Sequence, residues 1–279
     1  MPVFSLIQRT PACLRAFVVI LAVLVVSACA QVPITNRSGL HLVPNAELAT
    51  MSVEQYRGVL GKSQLSTDTR QVAMLRRVGM RIANAAETVL KESGAPDAIV
   101  DYHWEFNLIQ DDKTVNAWVM PGGKAAVYTG ILPYTRDETG LAVVLGHEVG
   151  HALAGHGNER LSQGLLTQLG GTALAVALQS QPQQTQALFM QAFGVGTSVG
   201  FLLPYSRLHE SEADRIGLTL MARAGYDPRE AVPFWQRMQA QEQSRPPEFL
   251  STHPAPETRI REIQSHLPEA LPYYQKSIR

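Results

Sequence analysis

The spacing of apolar residues changes several times along this chain, and each change marks an element. Between positions 67 and 92, Val72, Leu75, Val78, Ile82, Ala86 and Val89 recur every three or four residues, which predicts one amphipathic helix. The period then drops to two. Trp104, Phe106 and Leu108 alternate with polar neighbours, and at 115–120 Val115, Ala117 and Val119 face one way while Asn116, Trp118 and Met120 face the other. Alternation of this kind predicts strands, and AAVYTG (125–130) is placed to pair back through Pro121-Gly122-Gly123. Next comes GLAVVLGHEVGHALAGH (140–156), apolar apart from a few positions, the pattern of a helix packed on most sides. Thr135 and Glu138 are spaced as a capping box for it, and Asp137 and Glu138 suit the positive end of its dipole. A further helix runs through Ile216, Leu220 and Met221 to Gly225, a good left-handed terminator. Asp227, Pro228 and Glu230 form another helix start, leading through Phe234, Trp235 and Met238. A last helix is expected over about 256–266. The sum is an α+β fold, mostly helical, with a small mixed or antiparallel sheet.

Three stretches resist this reading. Residues 1–28 hold Arg9, Arg15 and no acid, then AFVVILAVLVV (16–26), too short to span ~30 Å of hydrocarbon comfortably but right for a secretory signal. Val26-Ser27-Ala28-Cys29 resembles a bacterial lipoprotein cleavage box, in which Cys29 is acylated and begins the mature chain. Residues 29–50 read as a lipid-anchored tether, with prolines and no periodicity, ahead of a single domain at 51–279. Residues 161–203 are apolar and rich in small residues, broken by QSQPQQTQ. They fit a helical hairpin that covers a cleft or touches the membrane surface, or equally one buried in the core.

Composition narrows the options. The chain has 279 residues, 45% hydrophobic, with 24 basic and 24 acidic residues, enough to bury one proper core. Removing Arg9 and Arg15 with the signal leaves 22 of those 24 basic residues against 24 acidic. That balance gives no footprint for nucleic acid and none for anionic lipid, so acyl chains are the membrane link. Of the two cysteines, Cys13 leaves with the signal and Cys29 is lipidated, so no disulfide forms although the compartment permits one.

The chemistry centres on HEVGH (147–151). Four helical residues turn through about 400°, so His147 and His151 lie one above the other and can bind one metal, with Glu148 beside them. His156 is nine residues from His147, about half a turn off on a continuing helix, and it reads as structural or as a helix C-terminal cation. A third ligand is better sought in SRLHESEADRIG (206–217), where Glu210 and Asp214 are one turn apart. Glu210 completes a two-histidine, one-glutamate site, and Asp214 can accept the second N–H of a ligand histidine. Glu212 competes with Glu210 but lies about 200° round the helix.

HEVGHALAGH, HESEAD, STHPAPETRI (251–260) and NAWVMPGG (116–123) occur in that order and together resemble the gluzincin metalloprotease family of HtpX, BepA and the prenyl-protein proteases, over roughly residues 50–265. Trp118 stands where that family often has Phe, and the tetratricopeptide repeats of some relatives are absent from this sequence. The resemblance implies a zincin-like fold, one Zn2+ per chain, and an edge strand bordering the active-site cleft that binds extended substrate by backbone hydrogen bonds. Residues 115–120, with Asn116, Ala117 and Trp118, are the candidate strand; a plain core hairpin is the alternative. It also implies a protease of misfolded or stalled envelope proteins, or a chaperone-like or latched zinc lipoprotein beside the outer-membrane assembly machinery. Ala30 after Cys29, in place of aspartate, favours the outer membrane, facing the periplasm.

In such a site Glu148 is the general base. A group beside the metal must answer the developing oxyanion, and His253, His209, Arg207 and Tyr205 are candidates. His253 has two open roles: oxyanion stabiliser, or occupant of the fourth metal position that holds the enzyme inactive.

Overall fold

A computed structural model describes residues 29–94, 102–168, 174–180, 182–193, 206–242, 248–253 and 257–278. The candidate signal segment and Tyr205 lie outside them. The helix expected over 67–92 is α2 (Thr69–Glu92), preceded by α1 (Asn45–Lys62). The Asp68 side chain accepts the Arg70 and Gln71 N–H groups at its start, satisfying donors that the first turn leaves unpaired. Leu75, Val78, Ile82, Ala86 and Val89 are buried along one face. Gly79 on that face admits the Phe106 ring, which a Cβ would meet at 2.6 Å.

The sheet has three strands, β3 (Glu105–Ile109), β4 (Ala117–Met120) and β5 (Lys124–Tyr128), in the order β3-β5-β4. β4 and β5 are antiparallel, joined by the turn containing Gly122 and Gly123 at φ 76° and 79°. β3 runs parallel to β5, from Glu105 opposite Lys124 to Ile109 opposite Tyr128. The sheet is therefore mixed, and β4 is an edge strand. Short segments Thr129–Ile131 and α3 (Leu132–Thr135) lead into α4 (Glu138–Leu153).

α4 is the central element, packed against α2, the sheet and α8 (Arg207–Arg223). Its cap differs from the expected box. Asp137, not Thr135, accepts the Thr139 and Gly140 N–H groups, while Thr135 ends α3 and donates its hydroxyl to Leu132 O. Arg136 at φ 67° turns the chain between the two helices. The far end of α8 follows expectation: with Gly225 at φ 78°, its N–H reaches Ala222 O and the Tyr226 N–H reaches Met221 O, a Schellman closure.

Residues 29–50, read from the sequence as a lipid-anchored tether, carry regular structure. β1 (Cys29–Gln31) and β2 (Ser38–Leu40) form an antiparallel hairpin, Val32 and Val43 are buried, and α1 begins at Asn45. Of 161–203, the described parts are the end of α5 (His156–Gln168), α6 (Leu174–Ser180) and α7 (Pro182–Ala192). Leu161, Leu165, Leu188, Phe189 and Phe193 join Tyr56, Trp118 and Met120 in a second apolar core. Among the described residues no helix is long and apolar enough to cross a membrane.

After the 3-10 turn Pro228–Glu230 come α9 (Ala231–Glu242), α10 (Glu248–Thr252) and α11 (Glu257–Ser277). The last helix continues well past the expected end near 266, through Pro268 and Pro272. Isolated prolines would break it. Contacts with α8 outweigh that cost: Ala270 is buried, Arg215 pairs with Glu269, the Arg223 guanidinium lies 4.1 Å from the Tyr273 ring centroid, and Ser277 donates to Ala222 O.

Candidate metal centre

The site exists because α4 and α8 cross with almost nothing between them. A Cβ on Gly146 would stand 2.9 Å from Gly217 O, and one on Gly150 would stand 2.7 Å from Ala213 O. Only glycine permits such backbone approach. The crossing lays Glu210 and Asp214, one turn apart, against His147 and His151, also one turn apart.

Four side chains converge there: His147, His151, Glu210 and His253, each offering one ligand-type atom within 4.8 Å of the others. His147 Nε2 lies 3.0 Å from His151 Nε2 and 3.1 Å from His253 Nδ1. Glu210 Oε1 is 3.3 Å from His151 Nε2 and 3.0 Å from His253 Nδ1, and Glu210 Oε2 is 3.5 Å from His147 Nε2. Ligands about 2.0–2.1 Å from a tetrahedral ion stand about 3.3 Å apart. The observed separations bracket that value, and two histidines, a third histidine and a carboxylate form a donor set that suits a metal of the zinc type. Family and cluster together point to a metal ion in this site.

Both histidines of α4 in this cluster are oriented from behind. His147 Nδ1 lies 2.9 Å from Asp214 Oδ1, and since a carboxylate only accepts, the ring donates Nδ1–H and turns its Nε2 lone pair to the cluster. Asp214 is held by Arg259, which donates Nε–H at 2.8 Å and Nη2–H at 2.9 Å and also reaches Glu210 Oε2 at 2.7 Å. Burial raises the Asp214 carboxyl, but Arg259 and His147 outweigh it and keep it ionised. Arg259 is fully enclosed, its guanidinium 3.4 Å from the Trp235 ring centroid.

His151 uses a longer chain. Its Nδ1 is 2.8 Å from His156 Nδ1, and His156 Nε2 is 2.9 Å from Glu212 Oε2. Burial lowers the His156 pKa to about 4 despite Glu212, so the ring is neutral. Burial also lifts Glu212, but hydrogen bonds from His156, Thr35 and Arg37 outweigh it and hold its pKa near about 2. Glu212 accepts from His156 Nε2–H, His156 Nδ1 then accepts from His151 Nδ1–H, and His151 Nε2 faces the cluster with its lone pair. His156 is thus structural, as expected, but for another reason. The helix does not continue: Gly155 at φ 69° ends it, and α5 starts at His156. The alternative role of helix C-terminal cation fails, since His156 is uncharged and begins a helix.

Glu148 is buried beside the cluster, and its Oε1 makes no hydrogen bond among the described residues; His253 Nε2 stands 3.4 Å away. Burial pushes its carboxyl up to about 8. Burial likewise holds His253 down to about 4, leaving it neutral. A cavity of about 240 Å³, lined in part by His151, Ala152, Val119, Pro121, Gly122 and His41, joins this region to β4. Ala117, Trp118 and Val119 lie in that strand, and Asn116 precedes it, its side chain accepting the Ala117 N–H.

Several candidates sit elsewhere. Glu212 is behind His156. His209 is 3.1 Å from Glu159 and stacks on His156, ring centroids 4.2 Å apart, and Arg207 is exposed. Arg259 was not singled out from the sequence, although it falls inside STHPAPETRI, and the Arg37–Glu159–Glu212 group was missed with it.

The profile of Peptidase family M48 matches residues 76–267. The mitochondrial metalloendopeptidase OMA1 of Schizosaccharomyces pombe is 34% identical over 86% of this chain and 66% of its own length. OMA1 of Homo sapiens is 32% identical over 86% of this chain and 46% of its own. The beta-barrel assembly-enhancing protease of Escherichia coli is 28% identical over 86% of this chain and 47% of its own. This chain thus spans from about half to about two thirds of the length of these relatives.

Proposed function

The chain belongs to Peptidase family M48, and we propose that it is a zinc-dependent endopeptidase of the bacterial envelope, acting on misfolded or stalled envelope proteins. Family membership and the named metalloendopeptidases among its relatives support a metalloendopeptidase. The observation that carries the zinc reading is the convergence of His147, His151 and Glu210 at tetrahedral-edge separations, with Glu148 Oε1, which makes no hydrogen bond among the described residues, at their side.

His147 and His151, with the Nε2 lone pairs they turn to the cluster, and the Glu210 carboxylate would hold the metal. Zinc, when bound, supplies a Lewis acid that polarises the scissile carbonyl and makes a nearby water acidic. Glu148 takes the proton of the attacking water and returns it to the leaving amine. Asp214 and the His156–Glu212 pair keep both imidazoles in the ligating tautomer. β4 accepts substrate as an added strand, so extended backbone is read ahead of side-chain identity.

His253 favours a second, regulatory reading. Its Nδ1 takes the fourth corner of the cluster and its Nε2 faces Glu148. In that position it closes both the open ligand position and the base, so the enzyme rests latched and His253 withdraws for turnover. A latched form assisting outer-membrane protein assembly with little proteolysis is the alternative function; the E. coli relative's name, which joins beta-barrel assembly to a protease, supports the assembly part alone.

Cys29 anchors the chain through acyl groups to the outer membrane, facing the periplasm; Ser27-Ala28-Cys29-Ala30 supports this. Acyl labelling with and without Cys29→Ser tests it. For the activity, Glu148→Gln should keep zinc, lose casein cleavage by several orders of magnitude, and trap substrates in membranes for identification. Undiminished cleavage by that variant sinks the mechanism.

A further inference from the structure

The hairpin that follows Cys29 reaches the back of the metal centre. Its connecting turn carries Thr35 and Arg37. Thr35 donates its hydroxyl to Glu212 Oε1, and Arg37 donates Nε–H to Glu212 Oε2 at 2.6 Å. The other edge of the same guanidinium is bidentate on Glu159, Nη1 to Oε1 at 3.0 Å and Nη2 to Oε2 at 2.8 Å. Glu159 in turn holds His209, which stacks on His156. Arg37 therefore sits between two carboxylates, one bonded to His156 Nε2 and one holding the His209 ring that stacks on His156.

The direction of hydrogen bonding gives this contact a consequence. Glu212 has to point a lone pair at His156 Nε2, or His156 has no reason to keep its proton there. If that proton moves to Nδ1, His156 donates towards His151, and the His151 proton shifts to Nε2. An Nε2–H cannot bind a metal. The charge and fork of Arg37 fix the carboxylate, the carboxylate fixes the His156 tautomer, and His156 fixes that of His151. On the other ligand, the equivalent work is done by Asp214 and Arg259, both within the helical core. On the His151 side the arginine comes from a hairpin at the start of the described chain, more than a hundred residues away in sequence.

We infer that Arg37 is a positioning residue for the metal centre, acting through Glu212 and His156 on the tautomer of His151, so that the hairpin after Cys29 is a working part of the site. The inference rests on the reading of His151 as a metal ligand. It predicts that loosening this hairpin weakens metal binding without any ligand being touched.

The test uses the full chain in detergent with four variants. Arg37→Met keeps the side-chain bulk and removes the charge; Arg37→Lys restores the charge. Thr35→Val removes one donor to Glu212 at nearly equal volume. Arg223→Met breaks a comparable bidentate pair, with Glu92, far from the site. Zinc affinity is measured by competition with a chromophoric chelator, alongside kcat, KM and melting temperature. Arg37→Met should weaken zinc binding about 10-fold or more and lower kcat with KM little changed. Arg37→Lys should recover most of that loss, and Arg223→Met should shift melting alone. Folded Arg37→Met with zinc affinity within about two-fold of the parent, below the usual range for such partners, overturns the inference. If Arg37→Met fails to fold, Thr35→Val decides: a clear loss of zinc affinity supports the inference and unchanged affinity overturns it. A parent chain that binds no zinc overturns the metal-site reading and this inference with it, whereas zinc retained by the hairpin variants overturns this inference alone.

Discussion

Gly146 and Gly217 meet backbone to backbone where α4 crosses α8: a Cβ on Gly217 would lie 2.9 Å from Gly146 C and 2.9 Å from His147 N. Every obstructing atom is main chain, so no side-chain rotation relieves the clash. Gly217→Ala should force the helices apart, costing about 1–3 kcal/mol of overpacking and pulling Glu210 from the histidines. Gly58, in α1, has nothing within 4 Å of a built Cβ, and Gly58→Ala should stabilise by about 0.5–1 kcal/mol through helix propensity. Urea unfolding of both variants and zinc affinity of the first measure this. Equal stability of the two would contradict the close-crossing account.

Arg259 neutralises two buried carboxylates, Asp214 and Glu210, from a site with almost no exposure. Arg259→Met retains much of the volume over Trp235 but leaves both acids uncompensated. Breaking a buried pair from one side costs about 3–5 kcal/mol, so the apo protein should lose most of its cooperative unfolding transition. Zinc in excess should restore part of the stability, because the metal supplies positive charge to Glu210. A variant with unaltered melting in both states would show that Arg259 carries no such burden.

The latch gives opposite signs for its two readings. With His253 seated between Glu210 and Glu148, His253→Ala should raise the rate of casein cleavage per zinc-loaded molecule. A fall in kcat with full zinc occupancy would instead make His253 an oxyanion stabiliser. Metal content measured on the same samples keeps the two outcomes distinct from simple loss of zinc.

Much of this site could be read from spacing alone. His147 with His151 and Glu210 with Asp214 are each one turn apart, and a helical period carries that geometry directly. Gly225 marked its Schellman turn because φ above zero is a local property of the chain. What spacing does not carry is contact across long sequence separations. Arg37 meets Glu212 across 175 positions and Arg259 meets Asp214 across 45, and neither arginine has a local pattern that sets it apart from a solvated one. Residues 29–50 showed no periodicity because a hairpin of three-residue strands is too short for alternation to register. α11 outran its expected end because Arg215, Arg223 and Ala222, on another helix, hold it through its prolines. The start of α4 was assigned to Thr135 and not to Asp137 because both residues carry capping oxygens, and only the left-handed turn at Arg136 chooses between them.

The hairpin lock also fixes a pH dependence. Burial opposes ionisation of Glu159, but hydrogen bonds from His209 and Arg37 outweigh it and hold its carboxyl far below the usual carboxylate range. A folded pKa below the unfolded value of about 4.3 means the contribution to stability is fully present above that value. It is lost progressively as pH falls below it toward the folded value. Between neutral pH and pH about 5 the hairpin should therefore stay closed. Below pH about 4 each added proton favours release of Arg37. Protection from hydrogen exchange, taken relative to the intrinsic rate at each pH, should fall at Val32 and Asn36, whose N–H groups are bonded within the turn, over that acid range ahead of protection in α4. Glu159→Gln should be less protected at neutral pH and lose much of the acid-dependent fall. Equal pH profiles for the variant and the parent would remove Glu159 from the lock.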